Sequence, residues 1–122
     1  MSLNLNVRDN SGVTVIEILG RLTLGEVATR LTDEVRGLSA GGKKRILLNL
    51  AGLTNMDSSG VGVMVAAYAT VNRAGGQLKL SNLTGRVKDL LLVTKLHAVL
   101  DVYEDEPAAL TSFELLARKS VV

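Results

Sequence analysis

The sequence predicts an α/β domain with a mixed, mostly parallel sheet, and three observations predict it. In the opening stretch Leu3, Leu5 and Val7 alternate with Asn4, Asn6 and Arg8, which is the period of a half-buried strand. Downstream, short apolar runs alternate with segments whose apolar residues recur every three to four positions, the order that right-handed strand-helix-strand crossovers require. The chain has 122 residues, 47% of them hydrophobic, and no cysteine. One domain spanning residues 1–122 then buries enough apolar surface to fold without disulfide or metal support.

Asp9-Asn10-Ser11-Gly12 supplies turn residues ahead of a β-branched run from Val13 to Leu19, so the first two strands pair as an antiparallel hairpin. Gly20 reads as the end of the second strand. Leu24, Val27, Ala28, Leu31, Val35 and Leu38 follow helical spacing until Gly41-Gly42, which stop the helix. Thr23 and Glu26 stand at the spacing of a capping box at its start. Ile46-Leu47-Leu48-Asn49-Leu50 is almost continuously apolar, as in a strand covered on both faces and flanked by parallel neighbours. Ala51 to Gly60 reads as a loop.

Val61, Met64, Val65, Tyr68, Val71 and Asn72 return to helical spacing and are closed by Gly75-Gly76. Gln77 to Leu80 reads as a strand, Val87 to Val93 as a short helix, and Val99 to Tyr103 as an edge strand. In the closing segment Glu104-Asp105-Glu106 precede Pro107, and Arg118-Lys119 lie at the far end. Acids, a first-turn proline and bases thus sit where the helix dipole favours them. The expected order is an N-terminal β-hairpin followed by alternating helices and strands, with four helices.

Composition removes several classes of function. Without cysteine there is no thiolate nucleophile or Cys-based zinc site, and a single histidine, His97, rules out a His-clustered metal centre. No metal and no cofactor is expected. The net charge of +2 is small, and Tyr68, Tyr103 and Phe113 are the only aromatic residues, so the basic face and stacking side chains of a nucleic-acid binder are missing. The triplet Lys43-Lys44-Arg45 reads as a solvated approach to the strand after it. The first residues hold no apolar signal core, and the longest nearly apolar stretch, Val61 to Val71, is far short of the ~20 residues of a membrane span. A cytoplasmic protein without a membrane partner is expected.

In open α/β sheets, ligands meet the loops beyond the carboxyl ends of the parallel strands. Gly20 to Leu24 and Ala51 to Gly60 fit that place. Two roles stand open for Asp57-Ser58-Ser59 in the second loop. They cap the helix that follows, or they form an anion site where a phosphate esterified to serine meets free N–H donors and the positive end of the dipole. Gly60 and Gly62 flank Val61 in the first turn, where each glycine costs roughly 0.5–1 kcal/mol relative to alanine. Tight packing on the sheet and close approach of a partner both account for Gly62.

The run LLNLAGLTNMDSSGVGVMV, with GRLTLGEVATRL before it and GGQLKLSNLTGRVKDLLLVTKL after it, resembles the STAS-domain anti-sigma factor antagonists of bacteria over nearly the whole chain. The resemblance implies a STAS-like fold and partner switching. In that family an anti-sigma factor that is itself a serine kinase phosphorylates the first serine of the motif, and a phosphatase reverses the reaction. Carried over residue by residue, Ser58 is the phosphoacceptor, Ser59 the second candidate, and Thr23, Asp57, Ser58, Ser59, Gly60 and Gly62 form the partner-binding surface. The implied partners are that kinase and a phosphoserine phosphatase. The chain departs from the family at Thr23, where members commonly carry an Asp shortly after the glycine of the second strand. Kinase recognition and partner choice are open at that position.

Rival classes fare less well. Ser58 lacks the G-x-S-x-G setting of a hydrolase elbow, and His97 has no evident acid partner. A receiver-like domain phosphorylated on Asp57 needs an acidic pair after the first strand, where this chain has Arg8-Asp9 and a turn. No P-loop motif occurs to support nucleotide binding. The expectation is a non-enzymatic regulator, and the alternative is a STAS scaffold or adaptor subunit of a larger signalling assembly without sigma-factor control.

Overall fold

The first hairpin is set by a two-residue turn in which Ser11 and Gly12 take φ values of 56° and 85°, the handedness that matches the twist of paired strands. Strand β1 (Asn4–Asn10) therefore runs antiparallel to β2 (Val13–Leu22), from Asn4 opposite Leu19 to Asn10 opposite Val13. The computed structural model describes residues 4–22 and 26–121, with side chains in 4–22 and 29–113. The remaining elements are α1 (Glu26–Ala40), β3 (Arg45–Asn49), β4 (Leu53–Met56), α2 (Ser58–Arg73), β5 (Gln77–Ser81), α3 (Gly85–Val93), a 3₁₀ turn (Leu96–Ala98), β6 (Asp101–Tyr103) and α4 (Glu106–Val121).

The sheet follows the path β1-β2-β3-β5-β6, and every pairing after the hairpin is parallel. Side-chain alternation divides its two faces. Ile16, Ile18, Ile46, Leu48, Leu78 and Leu80 meet Leu31 and Val35 of α1, Met64, Ala67 and Val71 of α2, and Val87 and Leu91 of α3. Val13, Val15 and Leu47 point the other way, onto Ala109 and Phe113 of α4. Three helices cover one face and α4 alone covers the other. Leu47 explains why the β3 run is nearly continuous in apolar residues: it has a hydrophobic layer on both sides.

Polar contacts fasten α4. The Glu106 carboxylate accepts from both terminal nitrogens of Arg8 at 2.9 and 2.6 Å, and from the amides of Asn10 and Asn49 at 2.9 Å each. The Arg8 guanidinium, seconded by the Asn49 and Asn10 amides and opposed by partial burial, holds this carboxyl down to about 2. Glu17 is lowered too, by the Asn6 amide and then Arg8, and Arg8 is raised above its usual value by Glu106 and Glu17. On the same face Lys79 is almost fully buried, 2% exposed, with Nζ 3.1 Å from the Asp101 carboxylate and 3.2 Å from the Tyr103 hydroxyl. The ammonium also lies over the Tyr103 and Phe113 rings, 4.9 and 5.0 Å from their centroids.

The fold corrects three sequence expectations. Gly20 does not end β2; it takes φ 104°, a bend open to a residue without Cβ, and the strand runs on to Leu22. Ala51 to Gly60 is not all loop, because β4 pairs in parallel with the far end of β2, with a bulge between Gly20 and Arg21. The edge strand is shorter than Val99 to Tyr103, because Leu96–Ala98 wind into a 3₁₀ turn and pairing starts at Asp101. The capping box expected of Thr23 and Glu26, and the dipole-favoured Arg118 and Lys119 side chains, lie outside the described residues. Among the described residues, no helix is long and apolar enough to cross a membrane.

Candidate functional site

At the carboxyl end of the sheet, β2 outruns β3 and carries β4 on the edge so exposed. Gly20 opposes Leu53, Arg21 opposes Asn55 and Leu22 opposes Met56. The Gly20 N–H donates to the Gly52 carbonyl at 2.9 Å, and the Thr54 hydroxyl donates to the Gly20 carbonyl at 2.9 Å. The Asp57 N–H donates to the Leu22 carbonyl at 3.4 Å. β4 thus delivers the chain from the end of β3 to the start of α2 along a backbone rail.

Asp57 is the N-cap of α2. Its backbone is extended, and its carboxylate accepts from the Gly60 N–H at 3.0 Å while its carbonyl accepts from the Val61 N–H at 3.0 Å. The bond to Val61 is the first regular one of the helix, whereas the Gly60 N–H on the Asp57 carboxylate and the Asp57 N–H on the Leu22 carbonyl are two of the four donors that a helix start leaves over. Among the described residues, nothing accepts from the Ser58 or Ser59 N–H. Ser58 is exposed and Ser59 half-buried, so of the two hydroxyls that of Ser58 stands freer, beside two unpaired donors at the positive end of a 16-residue helix.

The two glycines of the motif have different jobs. A Cβ on Gly60 would lie 2.4 Å from the Leu22 carbonyl oxygen and 2.5 Å from Met56 Cγ; only glycine lets the helix start press on β2. A Cβ on Gly62 would meet nothing within 4 Å, and Gly62 is exposed. Packing on the sheet therefore does not explain Gly62. It lies one helical turn after Ser58, on the same face, and leaves bare backbone beside the hydroxyl.

Asp57, Ser58, Ser59, Gly60 and Gly62 thus share one end of α2, with Gly60 turned inward and Ser58 and Gly62 outward. Thr23 lies outside the described residues, though Leu22, the residue before it, is the one against which Gly60 packs. Sequence reasoning missed a groove of about 360 Å³ beside the helix start, lined by Asn55, Met56, Arg86, Asp89, Leu90 and Val93. Around it Leu92, Val93 and Val99 are 45%, 80% and 56% exposed. The signal was the run Leu90-Leu91-Leu92-Val93, since a helix cannot turn four consecutive apolar residues inward, and of these only Leu91 is buried. Among the described residues no group of His, Cys, Asp or Glu side chains could hold a metal ion.

Comparison with known proteins gives the same architecture. The family model for the STAS domain matches residues 4–109. The chain is 28% identical to an anti-sigma F factor antagonist of Paenibacillus polymyxa over 120 residues, 96% of this chain and all of the relative. It is 30% identical to an anti-sigma-B factor antagonist of Bacillus subtilis over 102 residues, 84% of this chain and 92% of the relative. Among solved structures it superposes on the Bacillus cell fate determinant SpoIIAA in its phosphorylated form with a TM-score of 0.66, at 20% identity, covering 88% of this chain and 96% of that one. By its fold, the match of the family model and the curated relatives, the chain belongs to the STAS-domain family of anti-sigma factor antagonists.

Proposed function

We propose that the protein binds an anti-sigma factor through the surface around Ser58, so releasing a sigma factor, and that phosphorylation of Ser58 by that anti-sigma factor, acting as a serine kinase, ends the binding. A phosphoserine phosphatase restores it. The observation that carries this reading is the exposed Ser58 hydroxyl beside the Ser58 and Ser59 N–H groups, which have no acceptor among the described residues, at a helix start fixed by the Gly60–Leu22 contact. The relatives named as anti-sigma factor antagonists and the phosphorylated form of SpoIIAA support it.

Magnitudes separate the fold from the interface. Negative charge at a helix start is favoured by about 0.3–1 kcal/mol, so the domain keeps its structure when phosphate is added. At an interface shaped for a hydroxyl, a charge of about −1.5 to −2 must be desolvated beside the Asp57 carboxylate. Turning a 99:1 bound equilibrium to 1:99 takes about 5.5 kcal/mol, within reach of a buried dianion without a counter-charge.

Titrating the purified anti-sigma factor by calorimetry with Ser58→Ala, Ser58→Asp and wild type tests this. Ser58→Ala binds whether or not ATP is present, Ser58→Asp binds at least about tenfold more weakly, and all three give the same circular dichroism spectrum. Equal affinity of Ser58→Asp and wild type, or kinase labelling retained in Ser58→Ala, would overturn the assignment.

A further inference from the structure

The end of the molecule opposite Ser58 carries a charge segregation that the proposed switch does not use. Segments 36–45 and 70–77 hold Arg36, Lys43, Lys44, Arg45 and Arg73, five of the chain's 14 Lys and Arg, and none of its 12 Asp and Glu. The rest of the chain therefore has more acids than bases. The fold joins the two segments. A Cβ on Gly76 would lie 2.7 Å from the Lys44 carbonyl oxygen, the Gln77 N–H donates to that oxygen at 2.6 Å, and Lys44 Nζ donates to the Ala74 carbonyl. Between the last turns of α1 and α2 runs an open groove of about 500 Å³, lined by Arg36, Ser39, Ala40, Thr70, Arg73 and Ala74. Among the described residues, Arg36, Lys43, Arg45 and Arg73 form no ion pair.

We propose that this groove is a second docking site, for a carboxylate-rich segment of another protein. Charge complementarity gives the sign of the occupant, and the backbone selects its kind. The N–H groups of Gly41, Gly42, Lys43, Ala74, Gly75 and Gly76 are all bonded to carbonyls of the preceding helix. A compact phosphate would find no free main-chain donors there and would face the negative ends of two helix dipoles. Singly charged carboxylates spaced along an extended chain match singly charged bases on two helices, with Arg36 and Arg73 offering forked donors suited to carboxylate. Neither segment has an aromatic residue for base stacking, and none of the exposed large apolar side chains lies there to enter a bilayer. The site lies at the amino ends of β3 and β5, so its occupant leaves Ser58 accessible.

Anisotropy of a fluorescein-labelled deca-glutamate peptide, titrated with the full chain, is the test. Binding weakens as salt is raised from about 50 to about 200 mM. It falls about tenfold or more in the double variant Arg36→Glu/Arg73→Glu, falls less in Arg36→Gln/Arg73→Gln, and is unchanged in Ser58→Asp and in Arg86→Glu/Lys88→Glu, all with wild-type melting temperatures. Equal loss in both charge-reversed pairs would show attraction by net charge alone and overturn the site. So would unchanged peptide binding in the groove variant, or tighter binding to phosphatidylserine vesicles or single-stranded DNA than to the peptide.

Discussion

Gly60 and Leu22 meet so closely that a methyl group on the glycine would stand 2.4 Å from the leucine carbonyl oxygen. The neighbour is backbone, in a strand that pairs with β4 at this point, and cannot turn away as a flexible side chain would. Gly60→Ala is expected to destabilise the protein by about 1–3 kcal/mol. Gly62→Ala, in open space one turn on, is expected to stabilise it by about 0.5–1 kcal/mol. Urea unfolding of the two variants checks the pair, and a fall in stability for Gly62→Ala would contradict the open environment described for it.

Asp57 holds the first turn of α2 through the Gly60 N–H. Asp57→Ala should cost about 1 kcal/mol and Asp57→Asn much less, because asparagine caps as well as aspartate. Thermal melts at neutral pH distinguish this from a purely electrostatic role, in which both variants would lose the same amount.

Acid stability should report on Glu106. Its carboxyl is held at about 2 in the folded protein, chiefly by Arg8, against an ordinary 4.5. A depressed value stabilises the folded state fully above the unfolded value, so this contribution is present above about pH 4.5 and drains away as pH falls towards 2. Glu17 shifts in the same direction. Glu106→Gln should cost about 1.5–3 kcal/mol at neutral pH and flatten the stability profile between those limits. An unaltered slope there would assign the acid transition to other carboxyls.

Lys79 and Asp101 make an asymmetric pair, with side chains 2% and 49% exposed. Removing the acid leaves a buried ammonium with only a hydroxyl and two rings, so Asp101→Asn should cost about 1–3 kcal/mol. Lys79→Met removes the charge at similar volume and should be neutral to stabilising. Differential scanning calorimetry gives the order, and a larger loss for Lys79→Met would make the ion pair a net stabiliser.

Much of this structure was legible in the sequence where one residue's neighbours along the chain decide its fate. The β1–β2 turn, the parallel order around Ile46-Leu47-Leu48 and the Asp57 cap are of that sort. β4 was hidden because Leu53-Thr54-Asn55-Met56 has no alternation of its own and becomes a strand only on the edge that β2 offers beyond Gly20. The capping motif marked the helix start, but which glycine packs and which stays open depends on Leu22, distant in sequence. The burial of Lys79 was not legible in the run Gln77 to Leu80 itself, because it depends on Asp101, Tyr103 and Phe113, distant in sequence. Thr23, where the resemblance implies that an Asp is usual, lies outside the described residues.

Apart from the Thr54 hydroxyl, the rail from Leu22 through β4 to Gly60 is made of main-chain bonds, which side-chain changes outside Gly60 and short of proline retain. Surface side chains around it are free to diversify under selection for different binding proteins, while the angle at which Ser58 is offered stays constant. Under the proposed switch, STAS modules that differ in those side chains present the serine in the same way and still select separate partners.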